Sequence, residues 1–285
     1  MEELSTGYGL VEGPVYDPQR GLVFSDVLNG GVHALNLSTG AVETLIPHRR
    51  GIGGMAPHIS GGFVVSGRNV AVKIPGQEGT HVLLDAKDAG DAAGFNDLTT
   101  DAAGRIYVGS LGFVAVDPNA VKKPGLLCMI DVDGSAHTLA SGIQLTNGIA
   151  VSADGKRLYH NDLDAHTTLV YALHDDGTVG EKQPLIVHPN DGHPDGMAVA
   201  QDGSIWIAMA HHGCVRVFNP DGSERRKLDV PLPMVTSMCF GGSDLQELFI
   251  VTGSVGAGRE NAGTIYRERV DVPGVPIHPA RMPLG

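Results

Sequence analysis

The stretch Asn190 to Met209, N-D-G-H-P-D-G-M-A-V-A-Q-D-G-S-I-W-I-A-M, contains two apolar runs with a tight turn between them. A polar turn comes first and places Asp195 just ahead of the first apolar run. The D-G pair at Asp202 and Gly203 follows, and the second run extends from Ile205 to Met209. Turn, strand, tight turn and strand in this order predict a β-hairpin.

The same pattern recurs along the whole chain. Short β-rich runs follow turn signals at Leu22 to Asp26, Phe63 to Gly67, Ile106 to Ser110, Leu158 to Asp162, Ile205 to Met209 and Leu248 to Thr252. A repeat of about 40–50 residues made of strands and turns is typical of a β-propeller with four strands per blade. A solenoid is the competing architecture, but its repeats are usually shorter or helical. The sequence therefore predicts an all-β chain that forms a six-bladed β-propeller with four-stranded antiparallel blades.

The last repeat lacks an obvious fourth strand, because it runs into V-P-G-V-P at Val272. We expect the N-terminal segment before Glu12 to supply that outer strand. This would close the ring and remove an open sheet edge. Residues 1–285 would then form a single propeller domain.

Composition limits the classes of partner. The chain has 32 acidic and 20 basic residues and a net charge of -12, which argues against nucleic acid and anionic membranes because both need a basic face. Cys128, Cys214 and Cys239 are far apart and form no C-x-x-C pair, so we expect buried free thiols in a reducing compartment. The N-terminus has no apolar segment of a signal peptide. We expect a cytoplasmic protein, monomeric or weakly homo-oligomeric, with a small-molecule substrate.

One polar residue recurs about ten residues before the second strand of most repeats. In repeats one, three, four and five, this position is occupied by Glu12, Asn96, Asn147 and Asp195. In repeats two and six, it is occupied by Gly53 and by Thr236 or Ser237. Because the innermost strands of a propeller line its central channel, equivalent positions form a ring at one end of that channel.

Two carboxylates and two amides in one ring are suited to a hard cation. Ca²⁺ takes about 6–8 oxygen ligands from carboxylates, amide carbonyls and water. No thiol or imidazole falls at these positions, which disfavours a dedicated zinc site. Asn and Asp at strand starts also serve turn geometry, but Glu12 is not a turn residue. The sequence predicts one divalent metal ion, with Ca²⁺ favoured and Zn²⁺, Mn²⁺ or Mg²⁺ as alternatives.

Four motifs carry a family resemblance: E-G-P-V-Y-D-P from Glu12, F-N-D-L-T-T-D-A-A-G-R from Phe95, T-N-G-I-A-V-S-A-D-G-K from Thr146 and P-D-G-M-A-V-A-Q-D-G from Pro194. They resemble the gluconolactonase/regucalcin family (senescence marker protein, luciferin-regenerating-enzyme-like) over nearly the full chain. The resemblance implies a six-bladed propeller with one divalent metal in the channel. It implies that the metal ligands are Glu12, Asn147 and Asp195. It also implies that Asn96 holds substrate or a metal-bound water, and that Asp195 doubles as the general base.

The chain departs from the family pattern near the expected substrate. Members that act on sugar lactones often carry an Arg where this chain has Gly94, and Tyr16 stands where Trp is common. The insert Leu111 to Gly125 contains Phe113, Val114, Val116 and Val121. Such an insert is expected at the channel mouth, where it would form an apolar lid. These departures make a small, less polar lactone or related ester at least as good a candidate as a gluconate-like lactone.

Further candidates lie near the same mouth. His193 precedes Asp195 by two residues, and His211 is in a loop on the same predicted face. Asp26 and Asp162 end second strands on that face and are also candidates for proton transfer or substrate contact. The predicted substrate-binding residues are therefore Asn96, Tyr16, Phe113, His193 and His211.

The sequence thus predicts a metal-dependent lactone hydrolase with Asp195 and Asn96 as catalytic residues. Asp195 bound to a dication would be a weak base, because the metal lowers its pKa; a water held by the metal is the alternative nucleophile. Two other functions stay open: a non-catalytic calcium-binding propeller, and a metalloenzyme of the same fold with isomerase or condensing chemistry.

Overall fold

Six four-stranded antiparallel sheets follow one another along the chain. The structure is a computed structural model, and it describes residues 1–115, 117, 119–188 and 192–284. The Asn190-Asp191 start of the hairpin discussed above and Val116 of the predicted lid lie outside the described residues. The prediction of an all-β, six-bladed propeller with four-stranded antiparallel blades is confirmed.

The first three blades take up the N-terminal half of the chain. Blade I consists of β2 (Val11–Asp17), β3 (Gly21–Asp26), β4 (Val32–Leu35) and β5 (Val42–Ile46). Blade II consists of β6 (Met55–Pro57), β7 (Phe63–Val65), β8 (Asn69–Lys73) and β9 (His81–Asp85). Blade III consists of β10 (Gly94–Thr100), β11 (Ile106–Leu111), β12 (Gly125–Ile130) and β13 (Ala136–Ile143). A single 3₁₀ turn, Ala86–Asp88, is the only helical element among the described residues.

The last three blades repeat this arrangement. Blade IV consists of β14 (Thr146–Val151), β15 (Arg157–Asp162), β16 (Thr167–Ala172) and β17 (Gln183–Val187). Blade V consists of β18 (His193–Val199), β19 (Ile205–Ala210), β20 (Cys214–Phe218) and β21 (Glu224–Asp229). Blade VI consists of β22 (Val235–Gly241), β23 (Glu247–Thr252) and β24 (Gly263–Arg269). Its outer strand is β1 (Glu2–Tyr8), which pairs with β24 in antiparallel register.

The first strands of the six blades surround the central channel. Each contacts the first strand of the next blade, and β22 contacts β2. The fourth strands are the most exposed, as in β21, which has one partly buried residue. The hydrophobic core therefore lies between neighbouring sheets. Trp206 of blade V, for example, is buried and packs edge-on against Phe240 of blade VI, with ring centroids 5.5 Å apart.

Tight turns join the first and second strands of the blades at the end of the channel opposite to the ring residues. We call this end the lower end. In the turn from β18 to β19, Gly203 adopts a left-handed φ of 83°, and the side chain of Asp202 accepts a hydrogen bond from the Ser204 amide at 3.0 Å. This is the mechanism by which D-G pairs form turns. The three cysteines are buried and free. No helix in the described part of the chain is long and apolar enough to cross a membrane.

The C-terminal segment crosses this lower end. The amide of Val275 donates to Val199 of blade V at 2.8 Å, and the amide of Ala280 donates to Pro57 of blade II at 2.8 Å. Between these points, the Thr100 hydroxyl of blade III donates to the His278 carbonyl. Above the segment lies a cavity of about 390 Å³, whose lining includes Asp97 and Ser237 at its top and His278 at its base.

Candidate metal and active site

The inner strands are irregular where the ring residues lie. In β10, β14 and β18, two residues of the inner strand have no partner in the second strand. These two-residue bulges are Asn96-Asp97, Asn147-Gly148 and Asp195-Gly196. A β-bulge redirects a side chain away from the regular ladder. The bulges thus explain how three ring residues leave the sheet faces.

Blade I has the same bulge in a shifted register. Here the unpaired residues are Gly13 and Pro14, and Glu12 still pairs with Ser25. Glu12 therefore stands one residue earlier in the ladder than Asn96, Asn147 and Asp195. Counting residues along the sequence did not show this difference. The Glu12 carboxyl nevertheless lies close enough to Asp195 for their charges to interact.

Two glycines let the ring residues approach the next blade. A Cβ at Gly53 would lie 2.0 Å from Asn96 Oδ1, and a Cβ at Gly148 would lie 2.6 Å from the Asp195 carbonyl oxygen. Both distances are far below a van der Waals contact. Glycine at position 53 of blade II is therefore part of the site, because it makes room for Asn96.

Asn96 and Asn147 form a direct hydrogen bond. Asn96 Nδ2 donates to the Thr146 carbonyl at 2.9 Å and to Asn147 Oδ1 at 2.6 Å. Because a carbonyl can only accept, the nitrogen of Asn96 must face blade IV. Asn147 Oδ1 keeps a second lone pair for a cation, and Asn96 Oδ1 faces Gly53. Asn96 therefore orients a predicted metal ligand.

Three carboxyl groups meet at this end of the channel. Burial and the neighbouring Asp195 and Asp97 raise the pKa of Glu12 well above its usual value. Burial and Asp97 likewise raise the pKa of Asp195. Burial raises the pKa of Asp97 to about 7. No lysine or arginine within the described ranges forms an ion pair with any of the three.

Buried acids without a basic partner fit a bound dication. Isolated carboxylates are costly to bury, whereas a coordinated metal ion compensates their charge. The oxygens of Glu12, Asp195 and Asn147 are the hard donors that Ca²⁺ and Mg²⁺ take. Among the described residues, no three His, Cys, Asp or Glu side chains are arranged as a metal-binding group. An ion here would thus need the Asn147 amide oxygen and water besides the carboxylates.

Four histidines cluster beside the site. The His193 ring lies 5.2 Å from His166, 5.5 Å from His211 and 5.8 Å from His212, measured between centroids. His166 and His211 both adopt left-handed backbone conformations, with φ of 50° and 66°. The structure thus brings the two predicted histidines, His193 and His211, together at the start of β18.

The insert between β11 and β12 contains both buried and exposed apolar side chains. The Phe113 side chain is buried, and the Lys122 ammonium group lies 5.8 Å from its ring centroid. Lys122 also forms an ion pair with Asp164 of blade IV at 2.5 Å. Val114 and Val121 are 51% and 79% exposed, so the loop presents aliphatic side chains to solvent.

Three other candidates have structural roles in the described contacts. Tyr16 lies toward the lower end of β2, where its ring stacks on Phe249 at 6.3 Å. The structure therefore does not bring Tyr16 to the ring residues. Asp26 accepts hydrogen bonds from the amides of Gly9, Leu10, Leu28 and Asn29. Asp162 accepts equivalent bonds from Gln144, Leu145 and Ala165.

Comparison with known sequences decides the family. The sequence profile described as the SMP-30/Gluconolactonase/LRE-like region matches residues 10–254. The chain belongs to this family. A pentonolactonase of Haloferax volcanii is 32% identical, with 99% of this chain and 98% of the relative covered. A 6-deoxy-6-sulfogluconolactonase of Pseudomonas putida is 31% identical, with 93% and 92% covered.

Solved structures support the SMP-30/gluconolactonase fold. A luciferin-regenerating enzyme superposes with a TM-score of 0.87 at 22% identity, and 99% of each chain is covered. A calcium-binding regucalcin of Agrobacterium tumefaciens superposes with a TM-score of 0.85 at 21% identity, covering 99% of this chain and 97% of that one. The predicted family membership is confirmed.

Asp97 is a third buried acid near the predicted metal ligands, and the sequence pattern did not predict it. It follows Asn96 directly in the F-N-D motif and lies one residue beyond the polar position that recurs in the repeats. The bulge places both residues outside the regular ladder. The sequence does contain an indication of this role: blade III has the carboxylate Asp97 where blades IV and V have Gly148 and Gly196.

Proposed function

We propose that this chain is a divalent-metal-dependent lactone hydrolase whose ion is held by Glu12, Asn147 and Asp195. The observation that carries the proposal is the meeting of buried acids with raised pKa values and an oriented amide at one channel end. The hydrolase class is supported by the family and by the two relatives named as lactonases. Ca²⁺ is the favoured ion, with Zn²⁺, Mn²⁺ and Mg²⁺ as alternatives.

The ion supplies Lewis acidity for a lactone carbonyl oxygen when it is bound. Asp195 takes the proton from the attacking water and later delivers it to the ring oxygen that leaves. Asn96 keeps Asn147 in place through its Nδ2 and offers its Oδ1 to the attacking water. The partly buried His193 lies two residues from Asp195 in β18. General-base catalysis of the kind proposed for Asp195 contributes about 10²–10⁴-fold to a rate.

The substrate we propose is a small lactone or related ester of limited polarity. Gly94 offers no cationic side chain, and a Cβ there would already lie 3.0 Å from the Gly67 carbonyl. The exposed Val114 and Val121 add aliphatic surface on the insert between β11 and β12. We assign Phe113 to the base of this loop, and we assign His193 and His211 to the substrate side of the site. The buried free cysteines support a reducing compartment, and we place the enzyme in the cytoplasm.

The decisive experiment is a lactone panel assayed with Ca²⁺, with a chelator, and with Ca²⁺ restored. We expect hydrolysis that stops with the chelator and returns with the ion. A pentonolactone and an alkyl-substituted lactone of equal ring size belong in the panel, and we expect the higher kcat/KM for the alkyl compound. Ion binding without hydrolysis of any member would favour the non-catalytic calcium-binding propeller.

Substitution of Asp195 tests the assignment of the base. Asp195→Asn keeps the shape of the side chain but removes the charge, and we expect turnover to fall by about 10²–10⁴-fold. Asp221→Asn in an exposed turn is the matched control and is expected to stay fully active. Asp195→Asn with bound metal and more than a few per cent of wild-type activity would contradict the assignment.

A further inference from the structure

A buried chain of hydrogen bonds runs from His188 to the main chain of Asp195. His188 Nε2 lies 2.9 Å from Thr168 Oγ1. The Thr168 hydroxyl donates to Asn161 Oδ1 at 2.6 Å, and Asn161 Nδ2 donates to the Asp195 carbonyl oxygen at 2.6 Å. His188, Thr168 and Asn161 are all at most 2% exposed.

The Asp195 carbonyl oxygen fixes the direction of every hydrogen bond in this series. A carbonyl oxygen can only accept, so the nitrogen of the Asn161 amide must face Asp195. Asn161 Oδ1 then faces Thr168, whose hydroxyl hydrogen is used for that bond. Thr168 Oγ1 must therefore accept from His188, which fixes the proton of this imidazole on Nε2.

The unused nitrogen indicates that His188 is neutral. Its Nδ1 is buried and has no hydrogen-bond partner among the described residues. Burial, followed by the nearby charges of Arg216 and His166, lowers the pKa of His188 to about 4. A protonated ring would bury an N–H group without an acceptor. The chain of bonds is therefore a fixed brace at neutral pH.

The brace connects the two bulges that carry the predicted ligands of blades IV and V. Asn161 lies opposite the Asn147-Gly148 bulge of its own blade, because Thr146 pairs with Asp162 and Ile149 pairs with His160. Its side chain reaches the Asp195-Gly196 bulge of the next blade. The Asp195 carbonyl fits between Asn161 and Gly148, where a Cβ would come within 2.6 Å.

We propose that Asn161, Thr168 and His188 are positioning residues that hold the main chain at Asp195 so that its carboxylate faces the ion site. This assignment rests on the proposed function, since Asp195 must have an ion or a water to act on. None of the three contacts the substrate. They act by fixing a backbone carbonyl, as outer residues do for ligands in many metal sites.

Paired substitutions at Thr168 test the brace. Thr168→Val keeps the shape but removes the hydroxyl, whereas Thr168→Ser keeps the hydroxyl. Thr252→Val is the matched control, because Thr252 is also buried and its hydroxyl donates at 2.8 Å to the Thr264 carbonyl of its own blade VI, not to a member of the brace. Ca²⁺ affinity by calorimetry and kcat on the best lactone of the panel are measured for each variant.

We expect Thr168→Val to lose about 10- to 100-fold in Ca²⁺ affinity and kcat, the usual effect of outer-shell residues. Thr168→Ser and Thr252→Val should bind Ca²⁺ like the wild type. The proposal is overturned if Thr168→Val matches Thr252→Val in both measurements, or if Thr168→Ser is as impaired as Thr168→Val. If Thr168→Val does not fold, His188→Leu and His188→Gln replace the pair, and only the glutamine variant should retain affinity.

The two proposals fail in different ways. A wild type that binds Ca²⁺ more tightly than Thr168→Val but hydrolyses no lactone leaves the brace standing and removes the hydrolase. An active wild type with unaffected Thr168→Val removes the brace alone. A wild type that neither binds a divalent ion nor hydrolyses a lactone overturns both.

Discussion

Aspartates at the two ends of the channel are in opposite physical states. At the lower end, Asp221 is exposed and accepts two hydrogen bonds from Ser223, at 2.9 Å from its amide and 2.6 Å from its hydroxyl. These bonds lower the pKa of Asp221. At the upper end, burial raises the pKa of Asp97 to about 7. Aspartate thus stabilises a turn at the lower end, whereas at the upper end it is a buried acid without a basic partner among the described residues.

The difference lies in the groups that the protein places around each carboxyl. The turn aspartates are satisfied by the protein itself, because the following amide and hydroxyl donate to them. At the upper end, burial makes ionisation of Glu12, Asp97 and Asp195 costly, and neighbouring carboxyls add to this cost for Glu12 and Asp195. Either a bound proton or an external positive charge removes that cost.

The largest expected effect is a pH dependence of Ca²⁺ affinity. Because the pKa values of Glu12, Asp97 and Asp195 are raised, protons must leave as the ion binds, and affinity falls about tenfold per pH unit for each proton released. Between about pH 8 and about pH 5, we expect a loss of at least about 100-fold. Calorimetry in two buffers of different ionisation heat measures both the affinity and the protons released. Constant affinity without proton release would show that the carboxyls are already ionised.

A smaller effect is expected for Asp97→Asn in the metal-free protein. The pKa of Asp97 rises from 3.8, the value of a solvated aspartate, to about 7 in the fold, so the unfolded state ionises first. The metal-free protein therefore loses stability as the pH rises from about 4 to about 7. An asparagine side chain at this position cannot ionise, so at about pH 8 the variant should be more stable than the wild type by about 1–3 kcal/mol.

The matched control for Asp97→Asn is Asp221→Asn at the lower end. The pKa of Asp221 is lowered in the folded protein, so its charge favours folding above the unfolded pKa. We expect no gain in stability from this variant. Urea unfolding at the same pH with a chelator compares the two, and an equal response of both variants would remove the distinction between the channel ends.

The fold could be predicted from the sequence because its cause is local and repeated. Every blade contains apolar runs separated by D-G or similar turns, so the period is visible without knowing any contact between blades. The ring of Glu12, Asn96, Asn147 and Asp195 followed from the same period. Their roles remain predictions, although the structure brings Glu12 within reach of Asp195 and bonds Asn96 to Asn147.

Other features of the site could not be predicted, because they depend on contacts that the sequence period does not encode. The shifted register of Glu12 comes from a bulge, and counting residues cannot locate a bulge. Tyr16 was predicted to bind substrate from its place in the E-G-P-V-Y motif, but it lies four residues beyond Glu12 in β2 and stacks on Phe249. The brace from His188 crosses three strands and two blades, and none of its members shares a motif with Asp195.

The smallest effect is expected where an acid already has a basic partner in solvent. Asp202 pairs with Arg225 at 2.5 Å, and their side chains are 35% and 41% exposed. Exposed ion pairs contribute about 0.2–1 kcal/mol and are screened by salt. Asp202→Asn should therefore lower the free energy of unfolding by less than about 1 kcal/mol, and the loss should shrink in high salt. Urea unfolding at two salt concentrations, with and without Ca²⁺, tests this. A loss that depends on Ca²⁺ would mean that the two ends of the channel are coupled, because Asp202 lies in the lower turns and the ion would be bound at the upper end.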